Sequence, residues 1–286
     1  MSQLNWYPGH MARTRRQLEA QLRSVDAVIE LCDARAPAAT RNADLDRLTR
    51  GKQRLLILNK ADLADDAVTS AWLKYFRASD QTVLRFNANG GRSGDILPSI
   101  ERATLPVMKR YEARGVRKTI RVMVIGIPNV GKSTFINRLH GRGIAKKEDR
   151  PGVTRSSQWI RLDPYLELLD TPGMLPPRLE DQEAALLLAY LGSIRDQIMD
   201  TEALAGKLLL HLVRQDAGSV IGRFHLEGDL PEEPQALLEA VCRGRGWLLS
   251  GGRCDTARGA AVVLDEFRAG RVGKLSLERP PRGERP

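Results

Sequence analysis

The apolar positions of the chain fall into short runs bounded by polar, glycine-marked turns. Runs at Asp26–Leu31, Leu55–Leu58, Thr82–Phe86, Ile120–Ile125, Gln158–Leu162 and Leu166–Leu169 have strand length, and several are too continuously apolar for a sheet with one wet face. Between them the spacing changes to the helical one. Leu18 and Leu22 lie four apart in Arg13–Arg23. Leu45 and Leu48 lie three apart in Ala43–Arg50, and Val68, Trp72 and Phe76 four apart in Asp66–Ala78. Gly94–Arg114 and Ser133–Leu139 read as helices too. Strands alternating with helices predict an α/β fold, a mostly parallel sheet with helices on both faces.

After Gly173 the texture changes. Pro172, Pro176 and Pro177 bracket a loop, and the rest carries helical patterns without strong strand runs: Asp181–Ile194, Thr201–Val213, Glu233–Arg243 and Arg253–Ala269. This predicts an α/β domain over residues 1–177 and a small all-α domain over 178–277. A tail over 278–286, rich in Pro, Arg and Glu, is expected to be disordered. No run approaches the roughly 20 apolar residues of a membrane helix, and the first residues lack the apolar core of a secretory signal. Three widely spaced cysteines, Cys32, Cys242 and Cys254, fit neither a disulfide framework nor a zinc ribbon, and agree with a reducing cytoplasm.

Charge adds a partner class. The chain carries a formal net charge of +10 over 286 residues, an excess that concerns association with polyanions rather than fold. It is clustered: His10, Arg13, Arg15 and Arg16 at the start; Lys109, Arg110, Arg114, Arg117, Lys118 and Arg121 before one Gly-rich loop; Arg138, Arg142, Lys146, Lys147, Arg150 and Arg155 after it. Solvated helix faces would account for such clusters. Three of them around one loop favour RNA, with DNA, an acidic protein or a membrane surface left open by charge alone.

That loop is Gly126-Ile-Pro-Asn-Val-Gly-Lys-Ser133, a G-x-x-x-x-G-K-[ST] pattern that follows an apolar strand and opens a helix. Glycines let backbone N–H groups face an anion, and the helix N-terminus adds partial positive charge. Asn129, Val130, Gly131, Lys132, Ser133 and Thr134 are therefore expected to hold phosphates, with Lys132 on the β/γ-phosphates and the Ser133 hydroxyl on Mg²⁺. Asn59-Lys-Ala-Asp62, after Leu55–Leu58, selects the base. The Asp62 carboxylate can accept from the N1–H and exocyclic amine of guanine. Adenine lacks that donor pair and would leave the carboxylate unpaired, which is costly. Asn59 can bond the base and tie loops together, and Lys60 can lie along the ring. Asn87 and Ala88, after Thr82–Phe86, are expected to add a contact to the base edge. Asp170-Thr-Pro-Gly173 follows Leu166–Leu169: Asp170 suits water-mediated Mg²⁺ binding, and the Gly173 N–H suits the γ-phosphate. Thr154 in Pro151–Arg155 is placed to close on Mg²⁺.

The order is unusual. In ordinary small GTPases the phosphate loop precedes the base-reading Asn-Lys-x-Asp; here Asn59–Asp62 comes first. The same sheet forms if the chain is circularly permuted, because domain termini often lie close together. The segment after Gly173 then leads into the C-terminal domain, which gives hydrolysis a lever.

With this order, and with Trp6–Met11, Asp33-Ala-Arg35, Arg41-Asn42, Leu58–Asp62, Gly126–Asn137, Arg150–Thr154, Gln158-Trp159, Leu168–Gly173, Ser250–Gly252 and Gly273–Ser276, nearly the whole chain resembles the circularly permuted GTPases of ribosome assembly. The resemblance implies GTP/GDP as ligands, binding to a late precursor of the large ribosomal subunit, release on hydrolysis, and an RNA-contacting C-terminal domain. It also implies a cytoplasmic protein that is monomeric off the ribosome. Without it, a GTP-gated RNA-binding chaperone or translation regulator with incidental hydrolysis is the alternative.

Catalysis is thinly provided. Met174 stands where Ras-like enzymes carry a water-orienting glutamine, so slow intrinsic turnover and stimulation by the ribosome are expected. Two substitutes are at hand. Asn129 matches the asparagine that coordinates K⁺ in cation-dependent GTPases, or else it stabilises the loop. His10, by the family resemblance, helps Lys132, Thr154 and Gly173 in catalysis, or else contacts RNA. Asp33 and Arg35 are expected to make structural polar contacts near the nucleotide loops.

Overall fold

The structure, a computed structural model, describes residues 16–79, 81–87, 90, 96–141, 157–173, 181–194 and 200–281. Its centre is a six-stranded sheet: β1 (Ala27–Asp33), β2 (Gln53–Asn59), β3 (Thr82–Arg85), β4 (Ile120–Ile125), β5 (Gln158–Asp163) and β6 (Leu166–Asp170). They lie in the order β3-β2-β1-β4-β6-β5. All neighbours are parallel except the β5–β6 hairpin. The chain starts in the middle of the sheet, runs to one edge, returns through a long helix to the middle and runs to the other edge. The switch between β1 and β4 is where open α/β sheets bind ligands.

The helices before the C-terminal domain are α1 (described over 16–22), α2 (Ala43–Leu48), α3 (Asp66–Arg77), α4 (Ile96–Glu112) and α5 (Lys132–His140). Local chemistry explains α3. The Asp65 side chain accepts from the Val68 N–H at 2.7 Å, capping the first turn, and Val68, Trp72 and Phe76 form its buried stripe. β1 parts the core. Ala27, Ile29 and Leu31 point to a cluster with Ile96 and Ile100 of α4 and Phe135 and Ile136 of α5. On the other face Cys32 packs with the α3 stripe, and Val28 with Leu18, Leu22 and Leu45 of α1 and α2. The same face holds Glu30, a buried carboxylate that could not lie there unpaired; Arg54 meets it at 2.8 Å and Arg41 at 3.4 Å.

The C-terminal helices are α6 (Gln182–Tyr190), α7 (Thr201–Phe224), α8 (Pro234–Gly244) and α9 (Thr256–Arg268). They share an apolar core of Leu204, Leu208, Leu212, Phe224, Leu237, Val241, Val263 and Phe267. α7 continues eleven residues past the Val213 expected from periodicity. At Asp216 the backbone leaves helical geometry (φ −153°, ψ 84°), and its carboxylate caps a second segment by accepting from the Ser219 N–H and Oγ. Polarity around that internal cap hid the continuation.

Two expectations concern boundaries. The expected division at 177/178 falls in residues 174–180, outside those described. Leu188 and Ile194, beyond it, pack into the sheet's core while Leu187 and Tyr190 pack into the helical one. The tail expected from 278 does not begin there. The Glu278 carboxylate accepts from the Ala38 N–H and, at 3.1 Å, the Ala39 N–H, and its carbonyl accepts from Trp72 Nε1 at 3.3 Å. Paired backbone donors and an indole hold this acidic residue, which composition alone assigned to the tail.

Candidate nucleotide site

Every loop singled out by motif and lying within the described residues leaves the carboxyl end of a parallel strand: Asp33–Arg35 after β1, Asn59–Asp62 after β2, Asn87 after β3, Gly126–Ser133 after β4 and Asp170–Gly173 after β6. Gly131 caps α5 with a left-handed φ of 93°, and a Cβ there would lie 2.5 Å from Asn59 Nδ2. Only glycine fits so close an approach in that conformation. The N–H groups of the first turn of α5, through Thr134, then face the mouth of the loop without intrahelical acceptors.

The Asn59–Asp62 loop is sewn to the phosphate loop. Asn59 Nδ2 donates to the Val130 carbonyl at 2.8 Å, and Lys60 Nζ donates to the Asn129 carbonyl at 2.6 Å. Ala61 is held from the side by its N–H on the Phe86 carbonyl. Asp62 beside it is partly exposed. Asn87 Oδ1 accepts from the Gly90 N–H at 3.1 Å. Ala88, Thr154, His10 and Met174 lie outside the described residues.

Lys132 is buried, and its Nζ donates to the carbonyls of Gly126 at 3.1 Å and Ile127 at 2.9 Å. Burial pushes its ammonium down from 10.5 to about 8, with the Asp170 carboxylate opposing. Burial likewise raises Asp170, against the pull of Lys132 and the Thr171 amide. One Asp170 oxygen, Oδ1, is buried with no hydrogen-bond partner among the described residues. An orphaned carboxylate oxygen beside a phosphate loop is the donor a hard cation needs, so Ser133 and Asp170 fit a Mg²⁺ ion. Gly173 lies against the same loop: a Cβ there would meet Pro128 N at 2.8 Å and Lys132 Nζ at 3.0 Å.

Contacts that local sequence could not announce join this site to the C-terminal domain. Asp33 is fully buried and pairs with Arg35 through two bonds, 2.9 Å to Nε and 2.8 Å to Nη2, and with Lys60 at 3.1 Å. Burial alone would raise its carboxyl; Arg35 and Lys60 overcome that and hold it well below the usual range. Arg35 Nη1 also donates to the carbonyls of Phe267 and Arg268 at the end of α9, and its guanidinium lies 5.1 Å over the Phe267 ring. Arg268 in turn donates to the carbonyls of Ala189 and Tyr190, closing the last turn of α6. The turn after α6 returns to the phosphate loop. Asn129 Nδ2 donates to the Gly192 carbonyl at 2.7 Å, and Ser193 Oγ to the Pro128 carbonyl at 2.9 Å. Asn129 itself has a positive φ of 63°. The segment Gly273–Glu278 adds a strap along the Asn59–Asp66 segment: the Leu275 N–H donates to the Leu63 carbonyl, the Asp65 N–H donates to Ser276 Oγ, and Lys274 pairs with Asp66 at 3.1 Å. Gly192, Ser193, Phe267, Arg268 and the strap were not among the expected site residues. They lie 60 to over 200 positions from their partners, so no local pattern marks them.

The protein-family profile described as "50S ribosome-binding GTPase" matches residues 121–230. The chain is 40% identical to Ribosome biogenesis GTPase A of Bacillus cereus over 279 residues, covering 97% of this chain and 94% of the relative. Its identity to the protein of that name from Thermotoga maritima is 31%, over 97% and 95%. Among solved structures, a GDP-bound structure of TM YlqF aligns with a TM-score of 0.67 at 27% identity, over 93% of this chain and 99% of that one.

Proposed function

The chain belongs to the ribosome biogenesis GTPase A family, and on that premise we propose that it binds a late precursor of the large ribosomal subunit as the GTP form and leaves on hydrolysis. The family makes it a GTP hydrolase with a part in ribosome assembly. The finer reading is supported chiefly by one observation: Arg35 bonds both the carboxylate that holds Lys60 and the end of α9. Nucleotide loops and helical domain therefore share one buried ion pair, and a change at either is felt at the other.

The chemistry is in-line attack of water on the γ-phosphate. Lys132 and the first-turn N–H groups of α5 hold the phosphates, Asn59, Lys60 and Asp62 the guanine, with Asn87 and Ala88 at its edge, and Gly173 the γ-phosphate. Mg²⁺, which P-loop GTPases use, supplies charge neutralisation at the β/γ-phosphates when bound; Ser133, Asp170 and Thr154 are the residues to hold it. Asn129 Oδ1 would be the ligand for K⁺ while its Nδ2 stays on Gly192, and His10 supplies a group to position water on the subunit. With Met174 in place of glutamine, turnover is slow alone and stimulated by the subunit. Among the described residues no helix is long and apolar enough to cross a membrane. We place the protein in the cytoplasm, monomeric off the ribosome.

Sedimentation tests the reading. With a non-hydrolysable GTP analogue the protein should travel with large-subunit precursors and not with GDP. Equal travel with both nucleotides, or with mature subunits only, overturns it.

A further inference from the structure

The β5 edge of the sheet carries exposed aromatic rings held by arginines, which GTP binding does not explain. Trp159, at the start of β5, is 44% exposed. Arg121 of β4 lies over its ring at 5.0 Å and is held there by a 3.0 Å bond from Nε to Glu167 of β6. Register places Arg161 and Arg121 on either side of Glu167, and Trp159 two residues from Arg161 on the same face. At the β5–β6 turn Tyr165 is also 44% exposed. Arg117 lies 5.1 Å from its ring centre and donates to its hydroxyl at 3.0 Å, while the Tyr165 carbonyl accepts from the Ile120 N–H at 2.8 Å. Lys118 lies 4.6 Å over Tyr111, at the end of α4.

We propose that this edge is a stacking platform for unpaired RNA bases, with Trp159 and Tyr165 as the rings that receive them. The proposal rests on the ribosome-assembly reading and names the contact it would use. A large apolar ring in water costs free energy unless something covers it, and here each is fixed in orientation before a partner arrives. Fixed rings with guanidinium groups beside them suit bases, since every base has a π-face and the cations meet the backbone. The acids near the rings are already engaged: Glu167 with Arg121, Asp26 with Lys118 and the Arg121 N–H, and Asp163 with the Tyr165 N–H. Exposed Lys109 and Arg110 in the last turn of α4 and Arg114 just beyond it, with Glu112 alone among them, extend the positive surface. Trp159 pairs with Leu169, and Tyr165 stands four residue steps before Leu169, which at about 3.3 Å per step sets the two positions roughly 13 Å apart along the strands. That suits a strand whose bases are splayed. A duplex keeps its bases stacked on each other and offers no face to a ring.

The test is fluorescence anisotropy of a labelled oligouridylate of about 12 nucleotides, within the site sizes of single-strand binders, with wild type, W159A, W159F and Y165A. W159A and Y165A should each weaken binding about fivefold to a hundredfold, the range of one base–ring stack. W159F should retain most of the affinity, and basal GTP hydrolysis should be unchanged in all. Equal affinity for W159A and wild type, or equally good competition by an unlabelled duplex, overturns the platform. Analogue-dependent sedimentation with the precursor subunit, run on the same variants, separates the two readings. If W159A binds the oligouridylate like wild type yet still sediments, the platform fails and the assembly role stands; if wild type itself does not sediment, the assembly role fails.

Discussion

Replacing Arg35 by methionine removes a guanidinium that is 1% exposed and keeps a side chain of similar length. Asp33 is then left in the interior with Lys60 at 3.1 Å and the backbone N–H of residue 35 at 3.1 Å. Removing one partner of a buried pair costs about 3–5 kcal/mol, because the remaining charge stays desolvated. The surviving Lys60 contact places the expected loss at the low end, about 3 kcal/mol. The Phe267 carbonyl keeps the Gly270 N–H and the Arg268 carbonyl lies near the domain surface, so their lost bonds add little. At ~2–4 °C per kcal/mol for a chain of this size, the midpoint of thermal unfolding should fall by roughly 6–12 °C. Circular dichroism melts and urea titrations read it. The double variant D33N/R35M should recover at least half, since the stranded charge is what costs. pH gives an independent handle. The folded carboxyl of Asp33 lies below its ordinary value of 3.8, so its stabilisation is present above that pH and is lost as pH falls toward the folded value. The gap between wild type and R35M should therefore narrow as pH falls below about 4. An R35M midpoint within about 1 °C of wild type, well short of the shift expected for a buried pair, would refute the reasoning. So would a double variant no better than the single one.

Asp62→Asn should move preference from GTP to xanthosine triphosphate by at least tenfold, on the order of one good charged hydrogen bond; unchanged competition between the two sinks the base assignment. Lys132 should make GTP binding take up a proton at alkaline pH. Its free-state ammonium sits near 8, so above that pH part of the population is neutral and must be protonated to meet the phosphates. Calorimetry in buffers of different ionisation enthalpy measures the uptake, and no buffer dependence above pH 8 counts against it. Exchanging K⁺ for Na⁺ should slow turnover if Asn129 Oδ1 ligates the ion, and equal rates remove that role. His10→Ala should lower subunit-stimulated hydrolysis by about 10²-fold, the low end for a positioned acid–base group, with precursor binding intact; undiminished stimulation excludes it.

The short-range physics of this protein is legible along the chain. Continuous apolar runs place the six strands, and the period of Val68, Trp72 and Phe76 places α3. The Gly126–Ser133 spacing marks a phosphate loop because backbone N–H groups and a helix start are local properties, and the order of Asn59–Asp62 before it announces the permutation. What the tertiary structure decided is everything that depends on which distant backbone lies near. The Asp216 cap that extends α7 needed its own geometry to be visible, and the ordered Glu278 needed the amides of Ala38 and Ala39. Asp33 and Arg35 read as polar contacts near the nucleotide. Only packing joined them to Phe267 and Arg268, over 230 residues away, because a buried arginine takes whatever carbonyls the fold presents to its free N–H groups. Asn129 carries the same lesson on the smallest scale. Its loop position follows from the pattern, while its amide's attachment to Gly192 follows from where α6 comes to rest.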